Sequence, residues 1–294
     1  MKAPAFAYTR PKRISEVLGL LEKHGDEARL LAGGQTLLAT LNMRLSEPAL
    51  LIDMQSVQEL KALSVDGNCL RIGAMVTHSQ IESSPLVARH APLLTRAAPH
   101  IAHRAIRNLG TFGGSIAYGD PAAEWPACLL ALDGRVVVRS LHGERRIAAS
   151  DFFTGLYTTA LAPNEIIVAC EVPLATGNHR FAFDELVRRH GDYAVVGLAA
   201  TGQWNGQALD QLRLAWIGVG SMPFRSTTTE RLLQGQPVTD TLLAEAMETL
   251  RAELQPEADL THSVAAKRHL AGVMLKRCMT AFREQSALVG ADTL

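Results

Sequence analysis

The first sixty residues alternate between short apolar runs and one-sided apolar faces, a pattern that predicts a small unit of strands and helices. Apolar residues recur at three- and four-residue spacing over 14–24, so this segment should form a helix that ends near Gly25. The apolar runs at 28–32 and 49–54 are typical of buried strands. Between them, two adjacent glycines precede a helical stripe of leucines: Leu37, Leu38, Leu41 and Leu45. The order predicts a βαβ unit with parallel strands.

Beyond this unit the chain mixes strands and helices, and its pattern changes again near residue 177. Strands, including one hairpin, are predicted at 70–75, 135–139, 144–148 and 166–172, and helices at 85–102 and 126–132. After the Gly/Asn segment at 175–178, three strands and two helices follow, at 180–187, 194–204, 208–219, 242–254 and 270–282. Asn205-Gly206 predicts a type I′ hairpin between the last two strands. The fold class is therefore α+β.

Composition and charge exclude several classes of protein. The 294 residues are 47% hydrophobic and 20% charged, which fits a globular protein long enough for two packed cores. The 29 basic residues balance 29 acidic ones, so the chain lacks the basic excess of a nucleic-acid-binding surface. No apolar run approaches the roughly 18 residues of a membrane span, and the N-terminus lacks a signal-peptide core. We therefore expect a cytoplasmic protein without a membrane span.

The sequence indicates neither a metal site nor a catalytic nucleophile. It contains no H-E-x-x-H, no G-x-S-x-G and no C-x-x-C. The four cysteines stand singly in apolar stretches, which predicts reduced core thiols: Cys69, Cys128, Cys170 and Cys278. We therefore expect no iron–sulfur cluster held by four thiolates in this chain. His78, next to the predicted helix cap Thr77, is interpreted as a surface residue.

The candidate chemistry begins at the first glycine bend, residues 32–37, where the strand at 28–32 meets the leucine-striped helix. The N–H groups of a helix's first turn have no partner within the helix and favour an anion, and glycine lets a ligand approach the main chain. Neither a Walker A loop nor G-x-G-x-x-G is present, so any dinucleotide must be held by another loop geometry. The alternative is an ordinary turn.

A second glycine bend, residues 108–115, makes a long ligand the better interpretation. It carries three glycines among two hydroxyls and follows an asparagine: Asn108, Gly110, Thr111, Gly113, Gly114 and Ser115. We expect main-chain amides at both bends to bind one dinucleotide, which requires the bends to lie close together. The alternative is a buried irregular segment that needs glycine for packing.

Three motifs in combination resemble a known family. The first is Ala32-Gly33-Gly34-Gln35-Thr36-Leu37-Leu38, and the second is Ile106-Arg107-Asn108-x-Gly110-Thr111-x-Gly113-Gly114. Together they resemble the FAD-binding medium subunit of molybdenum hydroxylases, the group of xanthine dehydrogenase and carbon monoxide dehydrogenase. The third resembles the carbon monoxide dehydrogenase type especially: Ala182-Phe183-x-Glu185-x-x-Arg188-Arg189-His190-Gly191-Asp192-Tyr193-Ala194-Val195-Val196-Gly197. The resemblance runs from about residue 1 to residue 285.

The resemblance implies a fold and a set of binding residues. The fold would be a two-subdomain FAD-binding fold of the vanillyl-alcohol oxidase/PCMH type, residues 1–57 and 58–176. A C-terminal domain of a three-stranded antiparallel sheet with a helical bundle would follow at 177–294. Non-covalently bound FAD would contact Ala32, Gly33, Gly34, Gln35, Thr36, Leu37, Asn108, Thr111, Gly113, Gly114, Ser115, Glu124, Ile166, Ile167 and Tyr193.

Two of these residues, and one departure from the family pattern, bear on the assignment. Glu124 stands where relatives usually have Asp; it keeps the carboxylate but is one methylene longer, which changes its reach to the flavin. Tyr193 corresponds to an aromatic near the isoalloxazine, and its alternative is a buried strand tyrosine. Many relatives have Pro where this chain has Ala39, a change expected to alter the start of the helix and spare the glycine bend.

The resemblance also implies partners. A large molybdopterin subunit would oxidise the substrate, and a small subunit with two [2Fe–2S] clusters would pass electrons to the FAD of this chain. Reduced FAD would pass them to an external acceptor: NAD, oxygen, a quinone or a cytochrome. The complex would be a dimer of heterotrimers. The alternatives are a free-standing FAD-dependent oxidase or dehydrogenase and a non-redox binding or assembly protein of the same fold.

Overall fold

The computed structural model of the chain describes residues 2–289. Its N-terminal sheet has three parallel strands in the order β1-β3-β2. The elements of this part are β1 (Ala7–Thr9), α1 (Ile14–His24), β2 (Ala28–Leu31), α2 (Leu37–Asn42) and β3 (Leu50–Asp53). The predicted βαβ unit is therefore confirmed, and the first glycine bend connects β2 to α2.

The central part of the chain folds around a five-stranded antiparallel sheet in the order β4-β5-β10-β6-β7. The sheet consists of β4 (Leu63–Asp66), β5 (Cys69–Gly73), β6 (Arg135–Ser140), β7 (Gly143–Ala148) and β10 (Ile166–Pro173). Two further strands, β8 (Phe153–Gly155) and β9 (Thr158–Thr159), form a separate small pair. The predicted hairpin of β6 and β7 is confirmed. The long strand β10 lies between β5 and β6, although it follows them in sequence by many residues.

Short helices fill the interval between β5 and β6. They are α3 (His78–Ser83), α4 (Pro85–His90), α5 (Pro92–Ala97), α6 (Arg104–Arg107), α7 (Phe112–Tyr118) and α8 (Glu124–Ala131), and α9 (Ala149–Phe152) follows β7. The single helix predicted over 85–102 is wrong, because Pro92 cannot continue a helix and holds Ala91 at φ −144°. The second glycine bend also differs from the prediction. Gly113, Gly114 and Ser115 lie in the first turn of α7 rather than in a loop.

The C-terminal sheet contains the three predicted strands and a fourth, very short one. The elements are β11 (His179–Leu186), β12 (Val196–Trp204), β13 (Leu209–Ile217), β14 (Phe224–Arg225), α10 (Thr227–Leu233), α11 (Asp240–Glu253) and α12 (Val264–Val289). The type I′ turn is wrong: Trp204 pairs with Leu209, so four residues connect the strands, and Asn205 lacks the positive φ of that turn. Within the described residues, none of these or the earlier helices combines the length and apolarity needed to cross a membrane.

Apolar cores join the three parts of the chain. One core combines Phe112 and Trp125 of the central helices with Phe181 and Ile217 of the C-terminal sheet. Another combines the N-terminal sheet and Val17 of helix α1 with Ile166 and Val168 of β10. Because buried side chains fix their neighbours closely, this sharing holds the N-terminal bend, α7 and the C-terminal sheet in one arrangement.

The buried carboxylate of Glu230 provides a test of the C-terminal packing. It accepts hydrogen bonds from the amide of Leu214 (2.7 Å) and from Arg225 (Nε 3.1 Å, Nη2 2.6 Å). Glu230→Gln keeps the shape but removes the charge, so the free energy of unfolding should fall by about 2 kcal/mol in urea titrations. Glu248→Gln, which breaks an exposed pair with Arg251, is the control and should cost about 0.5 kcal/mol or less. Equal losses of unfolding free energy in the two variants would contradict a stabilising role of the buried Glu230 carboxylate.

Candidate functional site

A cleft of about 850 Å³ lies where the three parts of the chain meet. Its size falls within the range of small-molecule sites in proteins. Fourteen of the fifteen sequence-predicted residues line it: Ala32, Gly33, Gly34, Gln35, Thr36, Leu37, Thr111, Gly113, Gly114, Ser115, Glu124, Ile166, Ile167 and Tyr193. The structure therefore gathers residues that are up to 161 positions apart, from Ala32 to Tyr193, around one cavity.

The first glycine bend presents unpaired donors to this cleft. Among the described residues, no acceptor receives a hydrogen bond from the amides of Gly33, Gly34, Gln35 or Thr36. Gly34 has φ +72°, a conformation that favours glycine, and its carbonyl accepts from the amide of Leu38 (3.1 Å) as α2 begins. Since unpaired amides are costly away from water, four adjacent ones on a cleft wall form a site for an anion.

The second glycine bend contributes in a different way from the one predicted. Its amides already donate within the chain: Gly113 to the carbonyl of Ala74 (2.9 Å), Gly114 to the hydroxyl of Thr111 (3.1 Å), and Ser115 to the carbonyl of Thr111 (3.1 Å). The expectation of free main-chain amides is therefore wrong for Gly113, Gly114 and Ser115, because these residues lie in a capped helix start. What it offers a ligand are the hydroxyls of Thr111 and Ser115.

The two bends touch, and glycine is required at the contact. A Cβ at Gly33 would lie 2.3 Å from the carbonyl oxygen of Leu109 and 2.7 Å from the Cα of Gly110. A Cβ at Gly113 would lie 2.5 Å from that of Ala74. Both distances are far below van der Waals contact, so no side chain fits at either position without displacing main chain. The requirement that the bends lie close together is met.

Asn108 is the predicted binding residue that the structure places outside the cleft. It follows the last residue of α6, Arg107, and is exposed. Its side-chain oxygen accepts a hydrogen bond from the hydroxyl of Ser79 (2.7 Å). The residue therefore connects α6 to α3 on the surface instead of facing the cavity.

Two carboxyl groups lie at the α8 end of the cleft. Burial, reinforced by the nearby carboxylates of Glu185 and Asp120, raises the pKa of Glu124 to about 8. Asp120 is also buried, and burial raises the pKa of its carboxyl while a hydrogen bond from the amide of Ala122 (2.8 Å) opposes the rise. At neutral pH, Glu124 is therefore mainly protonated and able to donate a hydrogen bond. The sequence analysis missed Asp120, which stands between Gly119 and Pro121 without a distinguishing pattern.

Aromatic residues line the same end of the cleft. Tyr193 is 66% exposed in the loop between β11 and β12, so the alternative of a buried strand tyrosine is wrong. Asp192 accepts from the amide of Tyr193 (3.1 Å) and pairs with Arg188 (3.1 Å), which holds this loop in place. Tyr118 and Tyr157, whose ring centroids are 5.0 Å apart, also line the cleft and were not predicted. They come from separate elements that only the fold brings together.

His78 is a further lining residue that the sequence analysis placed wrongly. It is 6% exposed, not a surface residue, and its ring packs against Trp125. Thr77 caps α3 as predicted, with a reciprocal hydrogen-bond pair to Gln80. His78 follows this cap as the first residue of α3, and its side chain lies in the protein interior. The Thr77 cap signal in the sequence did not reveal that burial.

No group of three or more His, Cys, Asp or Glu side chains suited to a metal ion occurs among residues 2–289. The four cysteines are free thiols, three of them buried. Burial raises the pKa of the Cys128, Cys170 and Cys278 thiols, which keeps them protonated. These three are the core thiols that the sequence predicts, whereas Cys69 is only partly buried.

Unpaired amides, a glycine-only contact between two bends, hydroxyls and an apolar strand start together define a site for a long, anionic dinucleotide. Comparison with known families agrees. Residues 4–175 match the FAD binding domain in molybdopterin dehydrogenase, and residues 181–282 match the CO dehydrogenase flavoprotein C-terminal domain. The chain thus belongs to the family of FAD-binding medium subunits of molybdenum hydroxylases.

Individual relatives show the same over nearly the full length. The nicotine 6-hydroxylase medium subunit of Paenarthrobacter nicotinovorans is 39% identical over 92% of this chain and 94% of that protein. The carbon monoxide dehydrogenase medium chain of Hydrogenophaga pseudoflava is 34% identical over 96% of this chain and 98% of that protein. A solved carbon monoxide dehydrogenase from Hydrogenophaga pseudoflava lacks the Mo-pyranopterin moiety of the molybdenum cofactor. It matches with a TM-score of 0.94 and 35% identity, and the match covers 97% of this chain and 99% of that chain. Quinoline 2-oxidoreductase from Pseudomonas putida 86 matches with a TM-score of 0.92 and 35% identity, and the match covers 97% of this chain and 99% of that chain. The resemblance is confirmed: this is an FAD-binding oxidoreductase subunit.

The contact between the two bends yields a prediction. Gly33→Ala places a methyl group against the main chain of Leu109, so the bends must separate, and we expect the dissociation constant for FAD to rise by about 10-fold or more. The measurement is a flavin fluorescence titration of the FAD-free protein. Gly177→Ala is the matched control, since a Cβ there meets no atom within 4 Å. Unchanged affinity in Gly33→Ala would show that the contact is not needed for binding.

The carboxyl of Glu124 yields a pH-dependent prediction. Its pKa is raised in the folded state, so unfolding releases a proton, and this group's contribution to stability falls as pH rises from about 5 to 8. Glu124→Gln removes that fall. Relative to the wild type, the variant should therefore gain on the order of 1–2 kcal/mol between pH 6 and pH 9, a value reduced for partial exposure.

The measurement for this prediction is urea unfolding of the FAD-free protein at the two pH values. Glu245→Gln on the exposed side of α11 is the control and should change stability similarly at both. A Glu124→Gln variant that follows the wild-type pH dependence would refute the raised pKa of the Glu124 carboxyl.

Proposed function

We propose that this chain is the electron-transfer subunit of a heteromeric molybdenum hydroxylase or dehydrogenase. It accepts electrons from [2Fe–2S] clusters of a small partner subunit, while a large molybdopterin subunit oxidises the substrate. An external acceptor then takes the electrons from this chain. The observation that carries the proposal is the row of unpaired amides at Gly33–Thr36, set against a contact that only glycine allows.

The residues of the cleft fit FAD in a definite order. We assign the diphosphate to the amides of the first glycine bend, because that is where unpaired donors adjoin the start of α2. The hydroxyls of Thr111 and Ser115 serve the adjoining phosphate and ribityl portion. Ile166 and Ile167, both buried at the start of β10, give the ring an apolar surface.

The α8 end of the cleft is suited to the polar edge of the ring system. Glu124 there presents a protonated carboxyl, and the exposed Tyr193 lies at the rim. When bound, the flavin supplies the redox chemistry, and the chain binds, orients and shields it. Asn108 is not included in this assignment, because it does not line the cleft.

We also propose the domain division and the assembly that the family resemblance implies. Residues 1–57 and 58–176 form the two subdomains of a vanillyl-alcohol oxidase/PCMH-type fold, and 177–294 form a C-terminal domain. Relatives are named as a medium subunit or a medium chain, which supports a complex of three kinds of subunit. A cytoplasmic dimer of such heterotrimers is the proposed form.

The test is purification of the tagged chain from its natural host. We expect acid to release FAD from the preparation, dithionite to bleach its visible absorption, and molybdenum and iron to copurify with two other polypeptides. A colourless preparation that releases no FAD would refute the proposed function. A yellow chain that purifies alone and oxidises a small alcohol or amine would favour a free-standing flavoenzyme instead.

A further inference from the structure

His78 occupies the point where the central helices support both glycine bends. It is the first residue of α3, and its amide donates to the carbonyl of Gly110 (3.0 Å). The adjacent bridge between Thr77 and Thr111 ties the same two segments together. The imidazole is buried yet lines the cleft, so one side of the ring faces the protein interior and the other faces the cavity.

The hydrogen bond on the interior side determines where the imidazole carries its proton. The indole Nε1 of Trp125 lies 2.9 Å from His78 Nδ1, and an indole N–H can only donate. Nδ1 must therefore accept, which requires a lone pair there and places the proton of the neutral ring on Nε2. A second proton on Nδ1 would oppose the indole N–H directly.

The charges near the ring act in the same direction. Burial, with a further contribution from the cation of Arg107, lowers the pKa of His78 to about 4. Arg107 itself is held by the carboxylate of Glu82 (3.0 Å) and by the carbonyl of Ile101 (3.0 Å), so its charge stays in place. His78 is thus a neutral donor throughout the physiological pH range, with its N–H fixed at Nε2.

Nε2 lies next to the contact between the bends. A Cβ at Gly110 would be 2.6 Å from His78 Nε2, and the Cα of Gly110 is the atom that a Cβ at Gly33 would meet at 2.7 Å. Within the part of the chain that the structure describes, Nε2 has no hydrogen-bond partner. A donor with a fixed proton therefore lies against Gly110, the residue whose Cα abuts Gly33 of the first bend, and His78 also lines the cleft.

We propose that His78 is a cofactor-binding residue whose Nε2–H donates a hydrogen bond to an oxygen of the diphosphate portion of FAD. Trp125 acts as a positioning residue, because its indole N–H sets the tautomer that makes this donation possible. The inference rests on the proposed function for the identity of the ligand. It adds a side-chain donor to a bend at which the family motifs indicate main-chain amides.

Two substitutions separate the two nitrogens of the ring. His78→Asn can place an amide oxygen where Nδ1 lies, so it keeps an acceptor for Trp125 and loses the donor toward the cleft. His78→Gln can place an N–H group near the position of Nε2 and keeps the donor. A hydrogen bond to a charged group should make the difference at least about 10-fold in affinity. We therefore expect His78→Asn to raise the dissociation constant for FAD by about 10-fold or more, and His78→Gln to raise it several-fold less.

The measurement is flavin fluorescence quenching on titration of FAD into the deflavo form of the purified protein, as the full complex or the full chain. Competition by ADP localises the effect: His78→Asn should weaken ADP to the same degree as FAD, and leave riboflavin unchanged. Equal affinities for wild type and His78→Asn would overturn the inference. Equal losses in Asn and Gln variants would overturn it too, because they would indicate ring packing against Trp125 rather than a donated hydrogen bond.

A second measurement uses the wild-type protein and needs no variant. In the wild-type protein labelled with ¹⁵N-histidine, the His78 ring should be the Nε2–H tautomer, and its Nε2–H signal should move when ADP is added. A Nδ1–H tautomer, or a signal that ADP does not move, would overturn the inference. Failure of wild-type protein to bind FAD at all would instead refute the proposed function, so the two failures are distinguishable.

Discussion

The contact between the two glycine bends is the constraint on which the rest of the site depends. Gly33 lies against the main chain of Leu109 and Gly110 so closely that no Cβ fits. That approach brings the unpaired amides of one bend beside the hydroxyls of the other. Neither bend could form the site alone, since the first lacks side-chain donors other than Thr36 and Gln35, and the amides of Gly113, Gly114 and Ser115 in the second already donate within the chain.

The fold maintains this contact through shared cores rather than through hydrogen bonds across the cleft. The α7 and α8 helices bury Phe112 and Trp125 among residues of the C-terminal sheet, and β10 buries Ile166 and Val168 beneath the N-terminal unit. Trp125 has a second role, because its indole N–H reaches His78 at the edge of the cavity. Packing that stabilises the fold therefore also orients polar groups of the site.

Much of the fold could be predicted from local sequence patterns. The βαβ unit follows from apolar periodicity, the hairpin of β6 and β7 from alternation around His142-Gly143, and the α3 start from its Thr77 cap. The errors occur where local signals compete. Pro92 interrupts a continuous helical pattern, and the Asn205-Gly206 pair forms a wider loop because Gln211 at φ +49° and a bulge shift the register.

Residues of the candidate site could be predicted only where they belong to a recognisable sequence segment. Gly33, Gly113 and Glu124 belong to recognisable segments, whereas Tyr118, Tyr157 and Asp120 reach the cleft through tertiary folding alone. His78 shows the limit most clearly. Its sequence neighbours predict a helix start, but its burial depends on Trp125, 47 residues away. No local pattern carries that information.

A cleft walled by all three parts of the chain has a consequence for assembly. A ligand that touches every wall binds only the fully docked arrangement, so occupancy should stabilise docking by about 4 kcal/mol when the ligand is a thousandfold above its dissociation constant. The supply of FAD would then determine how stable the newly made chain is. A chain without FAD would therefore unfold, and be cleaved by proteases, more readily than the FAD-bound chain.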